Sequence, residues 1–277
     1  MASVEQAGTA PANPSRFLGF IGSRGLLTAI LLGAFGWSLL SIEWGQPLVH
    51  ANGVDAFIRI AGSALRPELS SEIITTGVIA SWRTLAYATA GVSLAVLIAF
   101  PLGILTSGVL ARGAAIKNLS VGLFRGILAF LRAIHELVWA WLILAAIGLS
   151  PMTAVLALAL PYAGILGRIM AEMLNNAPEE PLQALRAAGA SEWQVLIYGY
   201  LPYTRANLIS YAMYRYECGI RSAAIMSFVG LGGLGYEIQI SLEDLHYHEA
   251  WTFVYMLVAL VILVEIASGI VRRRLAG

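Results

Sequence analysis

The sequence predicts an all-α, polytopic membrane protein with about six transmembrane helices. Of its 277 residues, 58% are hydrophobic and only 12% are charged, whereas an ordinary soluble domain carries roughly 25% charged residues. The mean hydropathy is +0.76. Apolar windows long enough to cross a bilayer recur along the chain, at 25–42, 82–110, 120–148, 152–172, 205–229 and 250–271. These windows leave little room for a separate soluble domain.

Helix-breaking residues separate several of these windows. Ser150-Pro151 stands between the third and the fourth, Asn-Asn-Ala-Pro at 175–178 follows the fourth, and the glycine-rich run 230–235 follows the fifth. Pro101 and Pro161 fall inside predicted spans, where neighbouring helices can satisfy the backbone groups that a kink frees. The pattern supports the count of six.

The basic residues of the short loops predict the orientation. They fall on one side of the membrane if the helices alternate, at Arg16, Arg24, Arg112, Lys117, Arg186, Arg205, Arg272, Arg273 and Arg274. The loop 241–249, on the other side, has acids and no Lys or Arg. Because cytoplasmic loops carry the excess of basic residues, we expect both termini in the cytoplasm.

This orientation divides the chain into parts along its length. We expect a cytoplasmic tail at 1–24, a first transmembrane helix at 25–42, an extracytoplasmic loop at 43–74, a membrane core at 75–271 with a cytoplasmic loop at 173–204, and a cytoplasmic tail at 272–277. No A-x-A-like cleavage site follows the first apolar window, which favours a retained signal anchor. The 43–74 loop is expected to hold an amphipathic segment that lies on the membrane.

Several classes of function are excluded by what the chain lacks. A net charge of +1 without a long basic run argues against a nucleic-acid partner, because binding to phosphates needs a concentrated positive surface. Cys218 is the sole cysteine and lies away from other metal ligands. Asp244, His246, His248 and Glu249 lie in one loop without a second cluster, which favours a solvated or partner-facing loop over a metal site.

Catalysis by the chain alone is also not predicted. The only lysine, Lys117, follows Ile116, so the chain has no phosphate-binding loop of the form G-x-x-x-x-G-K-[ST]. The spans contain no H-E-x-x-H, G-x-S-x-G or paired-aspartate motif, which argues against a membrane enzyme. An ion-coupled transporter with Glu136, Glu217 and His135 as a proton relay is a further alternative, against which the lack of an evident inverted repeat counts.

The polar stretch 173–204 predicts a short helix outside the membrane. Asn176 to Pro181 resembles a helix start, strong helix formers follow at 182–188, and Gly189 is placed to end the helix. About 30 residues is long for a connection between helices of a bundle. The stretch is therefore interpreted as a docking element rather than an ordinary loop.

The same stretch resembles the cytoplasmic "EAA" loop of ABC-importer permeases, E-A-A-x3-G-x9-I-x-L-P. The spacing is complete, and Ala184, Gly189, Leu201 and Pro202 match, while Gln183, Leu185 and Gly199 depart from the pattern. The resemblance implies that 182–190 is a coupling helix that docks on an ATPase. Its contact residues would be Leu182, Gln183, Ala184, Leu185, Ala188, Gly189, Leu201 and Pro202.

Two further stretches resemble the phosphonate and phosphite branch of that superfamily. They are 132–140, with His135 where the branch commonly has proline, and 215–235. The resemblance covers residues 75 to 271 and implies the type I importer permease (MetI-like) fold in the bacterial cytoplasmic (inner) membrane. It further implies a second permease copy or paralogue, two cytoplasmic ABC ATPase subunits carrying ATP and Mg, and an extracytoplasmic phosphonate-binding protein. Phosphonate, phosphite or a related phosphorus oxyanion is the implied cargo, with an amino acid or another small solute as the alternative.

Ionisable residues inside the predicted spans are the candidate pathway. Asn207, Ser210, Tyr214, Glu217 and Arg221 recur at spacings of 3, 4, 3 and 4, which places them on one helical face. We expect this polar stripe to face the bundle, since a charged side chain in lipid costs at least a few kcal/mol.

Three pairs of opposite charge stand four residues apart, namely Glu217–Arg221, Arg132–Glu136 and Arg168–Glu172. Two interpretations stay open for the arginines. Arg132 and Arg221, with Arg83 and His135, could offer an oxyanion an electrostatic path, because guanidinium groups match phosphonate geometry. Alternatively, the arginines pair with the acids. Arg168 and Glu172 are expected to be interface anchors.

The glycine run predicts a turn. Gly230, Gly232, Gly233 and Gly235 follow a membrane helix rather than a strand, so a dinucleotide-type phosphate loop is excluded. A tight turn that allows close backbone approach is expected, and it would shape an extracytoplasmic gate.

Overall fold

The computed structural model describes residues 24–42, 44, 53–111 and 113–276. Within these ranges all regular secondary structure is helical, which confirms the predicted all-α class. Residues 1–23 of the predicted N-terminal tail with Arg16, most of the first part of the 43–74 loop, and Arg112 lie outside the described residues.

The described helices follow one another with short connections. They are α1 (Arg24–Leu40), α2 (Gly53–Ser63), α3 (Ser71–Ser107), α4 (Ala114–Ala133), α5 (Glu136–Ile147), α6 (Pro151–Asn175), α7 (Glu179–Ala187), α8 (Glu192–Val195), α9 (Leu201–Met226), α10 (Leu234–Glu243) and α11 (Tyr247–Ala276). A π-helical turn, Leu196–Tyr200, joins α8 to α9, and a 3-10 turn, Ser227–Val229, extends α9.

Three of the described helices, α3, α6 and α11, are each long and apolar enough to cross a membrane. Two bent pairs meet the same criterion together: α4 with α5, and the stretch 192–229 with α10, which raises the number of candidate spans to five. The first predicted span falls on α1, an apolar helix of 17 residues. Each of the six predicted apolar windows thus coincides with helical structure in the described part of the chain.

The third predicted span, 120–148, is not one straight helix. The axes of α4 and α5 differ by 89°, because Ile134 and His135 adopt extended backbone angles between them. His135 caps α5, its Nδ1 accepting a hydrogen bond from the Leu137 amide at 3.3 Å. Trp139 Nε1 reaches back across the bend to the carbonyl oxygen of Leu131 at 3.2 Å. The prediction of a continuous span was wrong because this bend interrupts the helical hydrogen bonds.

The centre of the bundle packs on small residues. Gly103 of α3 lies so close to α6 that a Cβ there would be 3.0 Å from the carbonyl oxygen of Gly167. A Cβ at Gly164 of α6 would be 2.8 Å from the carbonyl oxygen of Leu128 on α4. Small residues allow such close approach, which replaces the hydrophobic effect as the source of association between helices in lipid. The backbones of α3, α4 and α6 are thereby held in contact.

The main apolar core lies between α3, α6 and α9, with α5 beside it. Val92, Leu158, Tyr162 and Met226 are buried in it together with Ala140 of α5. Pro161 lies within α6 and Pro101 within α3, and both helices continue through them, as predicted.

The chain just after α2 is attached to the start of α11. Side chains of α11 donate hydrogen bonds of 2.7 Å to backbone carbonyl oxygens there, Trp251 Nε1 to Ile60, Tyr255 OH to Ala64 and Thr252 Oγ1 to Glu68. The α2 helix itself falls in the predicted 43–74 loop, where an amphipathic segment was expected from the sequence.

Candidate functional site

The connection between α6 and α9 forms a compact unit, which we call the interhelical segment (residues 176–200). Its helix α7 begins at Glu179 after Pro178 and has Glu179 and Glu180 in its first turn and Arg186 near its end. These charges complement the helix dipole. The short helix predicted for this stretch is therefore present.

Gly189 ends α7, as expected. Its φ of +85° lies in the left-handed region that favours glycine. The Gly189 amide donates to the carbonyl oxygen of Arg186 at 3.0 Å, and the Ala190 amide to that of Leu185 at 3.1 Å. This pair of hydrogen bonds is the Schellman motif, and it turns the chain sharply away from α7.

The chain then enters α8 through a capping box. The Ser191 amide donates to Gln194 Oε1 at 2.7 Å, and the Gln194 amide to Ser191 Oγ at 3.4 Å. Arg186 and Glu192 form an ion pair of 3.3 Å between the two helices. A hydrogen bond with the Tyr200 side chain, together with this ion pair, raises the pKa of Arg186 above its ordinary value. The segment thus joins its elements through its own polar side chains.

Leu182 belongs to the core of the interhelical segment. It is only 4% exposed and packs with Ala177 and Val195. The expectation that Leu182 contacts an ATPase is corrected, because its side chain is buried within the segment. The exposed side of α7 and its end carries Gln183, Ala184, Ala188 and Gly189.

Two departures from the EAA pattern compensate each other. A Cβ at Gly199 would be 2.6 Å from Leu182 Cδ2 and 3.1 Å from Leu185 Cδ1. The pattern has alanine where this chain has Leu185 and isoleucine where it has Gly199. The larger side chain has therefore moved from one side of the contact to the other. Leu201 and Pro202 begin α9, and Leu201 packs against the buried Leu196 cluster.

The polar stripe of α9 does not face the bundle of this chain. Asn207, Tyr214 and Arg221 are exposed, and Ser210 and Glu217 are half-buried. This corrects the expected direction of the stripe. Its residues lie on one surface of α9, which leaves them accessible to another chain or to water.

Glu217 pairs with a different arginine from the one expected. Its carboxylate lies 2.9 Å from Nη2 of Arg272, near the end of α11. Arg221 instead donates to Cys218 Sγ at 3.5 Å. The i,i+4 pairing predicted for Glu217 and Arg221 was therefore wrong, because α11 brings a competing guanidinium to the carboxylate.

Glu136 is the end of a buried polar chain rather than a partner of Arg132. Ser222 Oγ lies 2.7 Å from Glu136 Oε1 and donates to it, and Tyr162 OH lies 3.1 Å from Ser222 Oγ. His135 Nε2 is 3.7 Å from the other carboxylate oxygen. The bend before α5 separates Arg132 from Glu136, which corrects the predicted pair.

Arg215 is a residue that the sequence left without a role. Its guanidinium lies 5.4 Å from the ring centroid of Tyr162 and 5.8 Å from that of Tyr211, distances at which cation–π attraction acts. The i,i+4 spacing of Tyr211 and Arg215 on α9 was the available signal. Tyr162, from α6, could not be assigned to this group without the fold.

Arg83 lies at the glycine-rich turn. Gly230, Gly232 and Gly233 have φ values of +91°, +75° and +110°, and a Cβ at Gly232 would be 3.5 Å from Arg83 Nη1. A Cβ at Gly235 would collide with the carbonyl oxygen of Ala224. The predicted tight turn with close backbone approach is confirmed.

Arg132 lies apart from Arg83, in a cavity of about 350 Å³ that Arg168 and Glu172 also line. Arg168 Nε and Glu172 Oε1 are 2.7 Å apart, which confirms that predicted pair. The candidate pathway residues therefore occupy distinct places: Arg83 at the glycine turn, Arg132 between α4 and α6, and Arg221 on the surface of α9.

Comparison with known proteins places this architecture. Residues 99–277 match the family model described as binding-protein-dependent transport system inner membrane component. The chain is 34% identical over 248 residues to the phosphite transport system permease protein PtxC of Stutzerimonas stutzeri, covering 86% of each chain. It is 28% identical to the phosphate-import permease protein PhnE of Mycolicibacterium smegmatis, covering 71% of this chain and 36% of that one.

A solved structure shares the fold. The chain superposes on a permease structure of the MetNI methionine ABC transporter, described as inward facing, with a TM-score of 0.65 and 23% sequence identity, covering 75% of this chain and 99% of the other. The all-helical architecture, the interhelical segment and the family match agree. The chain is a multi-pass membrane protein and belongs to the family of binding-protein-dependent transport system inner membrane components.

Proposed function

We propose that this chain is the membrane-spanning subunit of an ATP-driven importer for phosphite, phosphonate or a related phosphorus oxyanion. The observation that carries the proposal is the 34% identity to a phosphite permease over 86% of both chains. A second relative, a phosphate-import permease, extends the likeness to another phosphorus oxyanion. The cargo is therefore proposed as a class, tetrahedral phosphorus oxyanions.

ATP hydrolysis would occur on separate subunits. The sequence has no lysine that could complete a phosphate-binding loop, since Lys117 is its only lysine. We propose two cytoplasmic ATPase subunits that hold ATP and Mg, a second copy or paralogue of this chain, and an extracytoplasmic binding protein that delivers the cargo. Both termini and the interhelical segment would lie on the cytoplasmic side.

The interhelical segment would dock on the ATPase through its exposed side. Gln183, Ala184, Ala188 and Gly189 are exposed there, and the small ones permit close approach of a partner. The internal packing of Leu182 and the ion pair of Arg186 with Glu192 would keep the segment rigid. A rigid segment can convert closure of the ATPases into a rigid-body movement of the attached helices.

The polar stripe on α9 would then face the second permease chain and the cargo path between the two. Asn207, Tyr214 and Arg221 are exposed on this surface, and intramembrane polar groups face water or protein rather than lipid. Arg83 and the glycine turn would lie at the extracytoplasmic entrance, where the turn would act as the gate.

The substitution Gly189→Asp tests the proposal. There is open space around Gly189, so an added side chain would project toward the docking partner and place a charge in the interface. We expect uptake of phosphite and methylphosphonate by proteoliposomes with all components to fall at least about tenfold, which corresponds to a loss of about 1.4 kcal/mol. The ATPase should no longer copurify with the chain.

Gly148→Asp is the matched control. Gly148 also has a positive φ, +81°, and open space around it, but it follows α5 instead of lying in the interhelical segment. It should retain the ATPase. Uptake without any ATPase, or unchanged copurification of the Gly189→Asp chain, would contradict the proposal and favour an ion-coupled transporter.

A further inference from the structure

A cationic trough lies between α3, α4 and α6. We call it the arginine trough; its polar lining consists of Thr106, Arg125, Arg132, Arg168, Glu172 and Asn175, and its volume is about 350 Å³. Of the arginines in this lining, only Arg132 was among the pathway candidates. The trough is therefore a larger arrangement than the sequence indicated.

Two helices present matching stripes to the trough. Arg125 and Arg132 stand seven residues apart on α4, and Arg168 and Asn175 seven apart on α6. Seven residues span two helical turns, or about 10 Å. The trough thus has the length of a small anion with room to shift along it.

The charges of the trough are not balanced within the described part of the chain. Arg168 is paired with Glu172 at 2.7 Å, whereas neither Arg125 nor Arg132 has a carboxylate within the 4.0 Å of an ion pair among the described residues. Three guanidinium groups and one carboxylate leave a net charge of +2. Unpaired cations are costly at membrane depth, so an anion bound here would stabilise the protein.

The floor of the trough adds a donor. Leu128 and Ala171 are 1% and 3% exposed and form an apolar base. Thr106 beside them is 2% exposed, and its Oγ1 has no hydrogen-bond partner. A buried hydroxyl without a partner costs free energy, and it can donate to an oxyanion. Guanidinium groups and this hydroxyl together match a tetrahedral oxyanion.

The trough ends at the interhelical segment. Asn175 is the last residue of α6, and Ala177, two residues later, packs in the core of the segment. Any movement of the segment would therefore reach the end of the trough directly.

We propose that the arginine trough is a station for the transported phosphorus oxyanion, held by Arg125, Arg132 and Thr106 beside the interhelical segment. The identity of the cargo rests on the proposed function. The station itself does not, because charge and geometry define it for any dianionic oxyanion.

Labelling of a cysteine in the trough tests occupancy without transport. Ala129 lines the trough, and Ala129→Cys in a Cys218→Ser chain gives a single thiol. In the complete complex in neutral phosphatidylcholine vesicles, we expect phosphite at millimolar concentration to slow its reaction with an anionic thiosulfonate several-fold. Adding Arg132→Gln should slow the same reagent and abolish the effect of phosphite.

Uptake measures the same residues in the intact complex. Loss of one charge-assisted hydrogen bond weakens binding about ten- to hundredfold, so Arg125→Gln and Arg132→Gln should raise the phosphite concentration for half-maximal uptake by that factor. Arg132→Lys should recover part of it. Arg205→Gln is the matched control, because Arg205 lies on α9 outside the trough and should leave uptake unchanged.

The outcomes separate the two proposals. If wild type takes up phosphite but the trough variants do so equally well and phosphite leaves labelling unchanged, the station is overturned and the proposed function stands. If phosphite slows labelling but the complex takes up no phosphorus oxyanion, the station stands and the proposed function fails. If phosphatidylglycerol in the vesicles slows labelling and phosphite does not, a lipid phosphate occupies the trough and the station is overturned.

Discussion

The interhelical segment and the intramembrane polar face differ in how completely they are satisfied by this chain. The segment closes its own helix end at Gly189, caps its next helix at Ser191 and pairs Arg186 with Glu192. The intramembrane face leaves Arg125 and Arg132 without ion pairs among the described residues. The first region is a finished unit that presents a surface, and the second requires another molecule to complete it.

The physical reason for this difference is the solvent. Outside the membrane, water satisfies any polar group that the chain leaves free, so local caps and a small core suffice. Within the membrane, a free polar group has no water to bind, so it must find protein, a ligand or a water-filled path. Unpaired intramembrane charges therefore mark functional surfaces more reliably than exposed charges do in the interhelical segment.

The largest effect that would break this comparison is expected at Leu182. Leu182→Ala removes the buried centre of the segment, and a leucine truncated in a core costs about 2–5 kcal/mol. We expect the segment to be cleaved faster by protease in membrane vesicles and ATPase coupling to fall. Ala184→Ser, on the exposed side of the same helix, should change neither. A protease-resistant Leu182→Ala segment would show that the segment does not hold itself together.

An intermediate effect is expected from Gly199→Ile. The new side chain would collide with Leu182 and Leu185, and overpacking costs about 1–3 kcal/mol. The double variant Gly199→Ile with Leu185→Ala returns both positions to the EAA pattern and should recover most of the loss in thermal stability. A double variant no more stable than Gly199→Ile alone would disprove the compensation.

The smallest effect, on the membrane side of the comparison, is expected from Arg272→Gln. It leaves the Glu217 carboxylate, 13% exposed, without its cation, which should cost about 1–2 kcal/mol because the pair is only partly buried. Thermal unfolding of the purified complex would measure it. Adding Glu217→Gln should restore stability, since no charge is then left unpaired. If Arg272→Gln alone leaves stability unchanged, a group outside this chain already neutralises Glu217.

Local features of both regions were predictable from the sequence. The end of α7 at Gly189 and the pair Arg168–Glu172 were both anticipated, because each depends on residues within one helical turn of one another. The exposed stripe of α9 was recognised as a stripe but assigned to the wrong side. Periodicity shows that residues share a face and does not say which neighbour that face meets.

The sequence by itself determined the class of the protein, the helices and their breaks, the coupling-loop spacing and the membrane location, because these follow from hydrophobicity and short-range backbone preferences. Only the tertiary structure decided that α4 and α5 bend apart at Ile134 and His135, that Arg272 takes Glu217, that Ser222 links Tyr162 to Glu136, and that Arg125 joins Arg132 and Arg168 in one trough. Each of these depends on side chains far apart in the sequence that compete for the same partner. Which competitor wins is set by the distance between helices, and this distance follows from the packing of small residues such as Gly103 and Gly164.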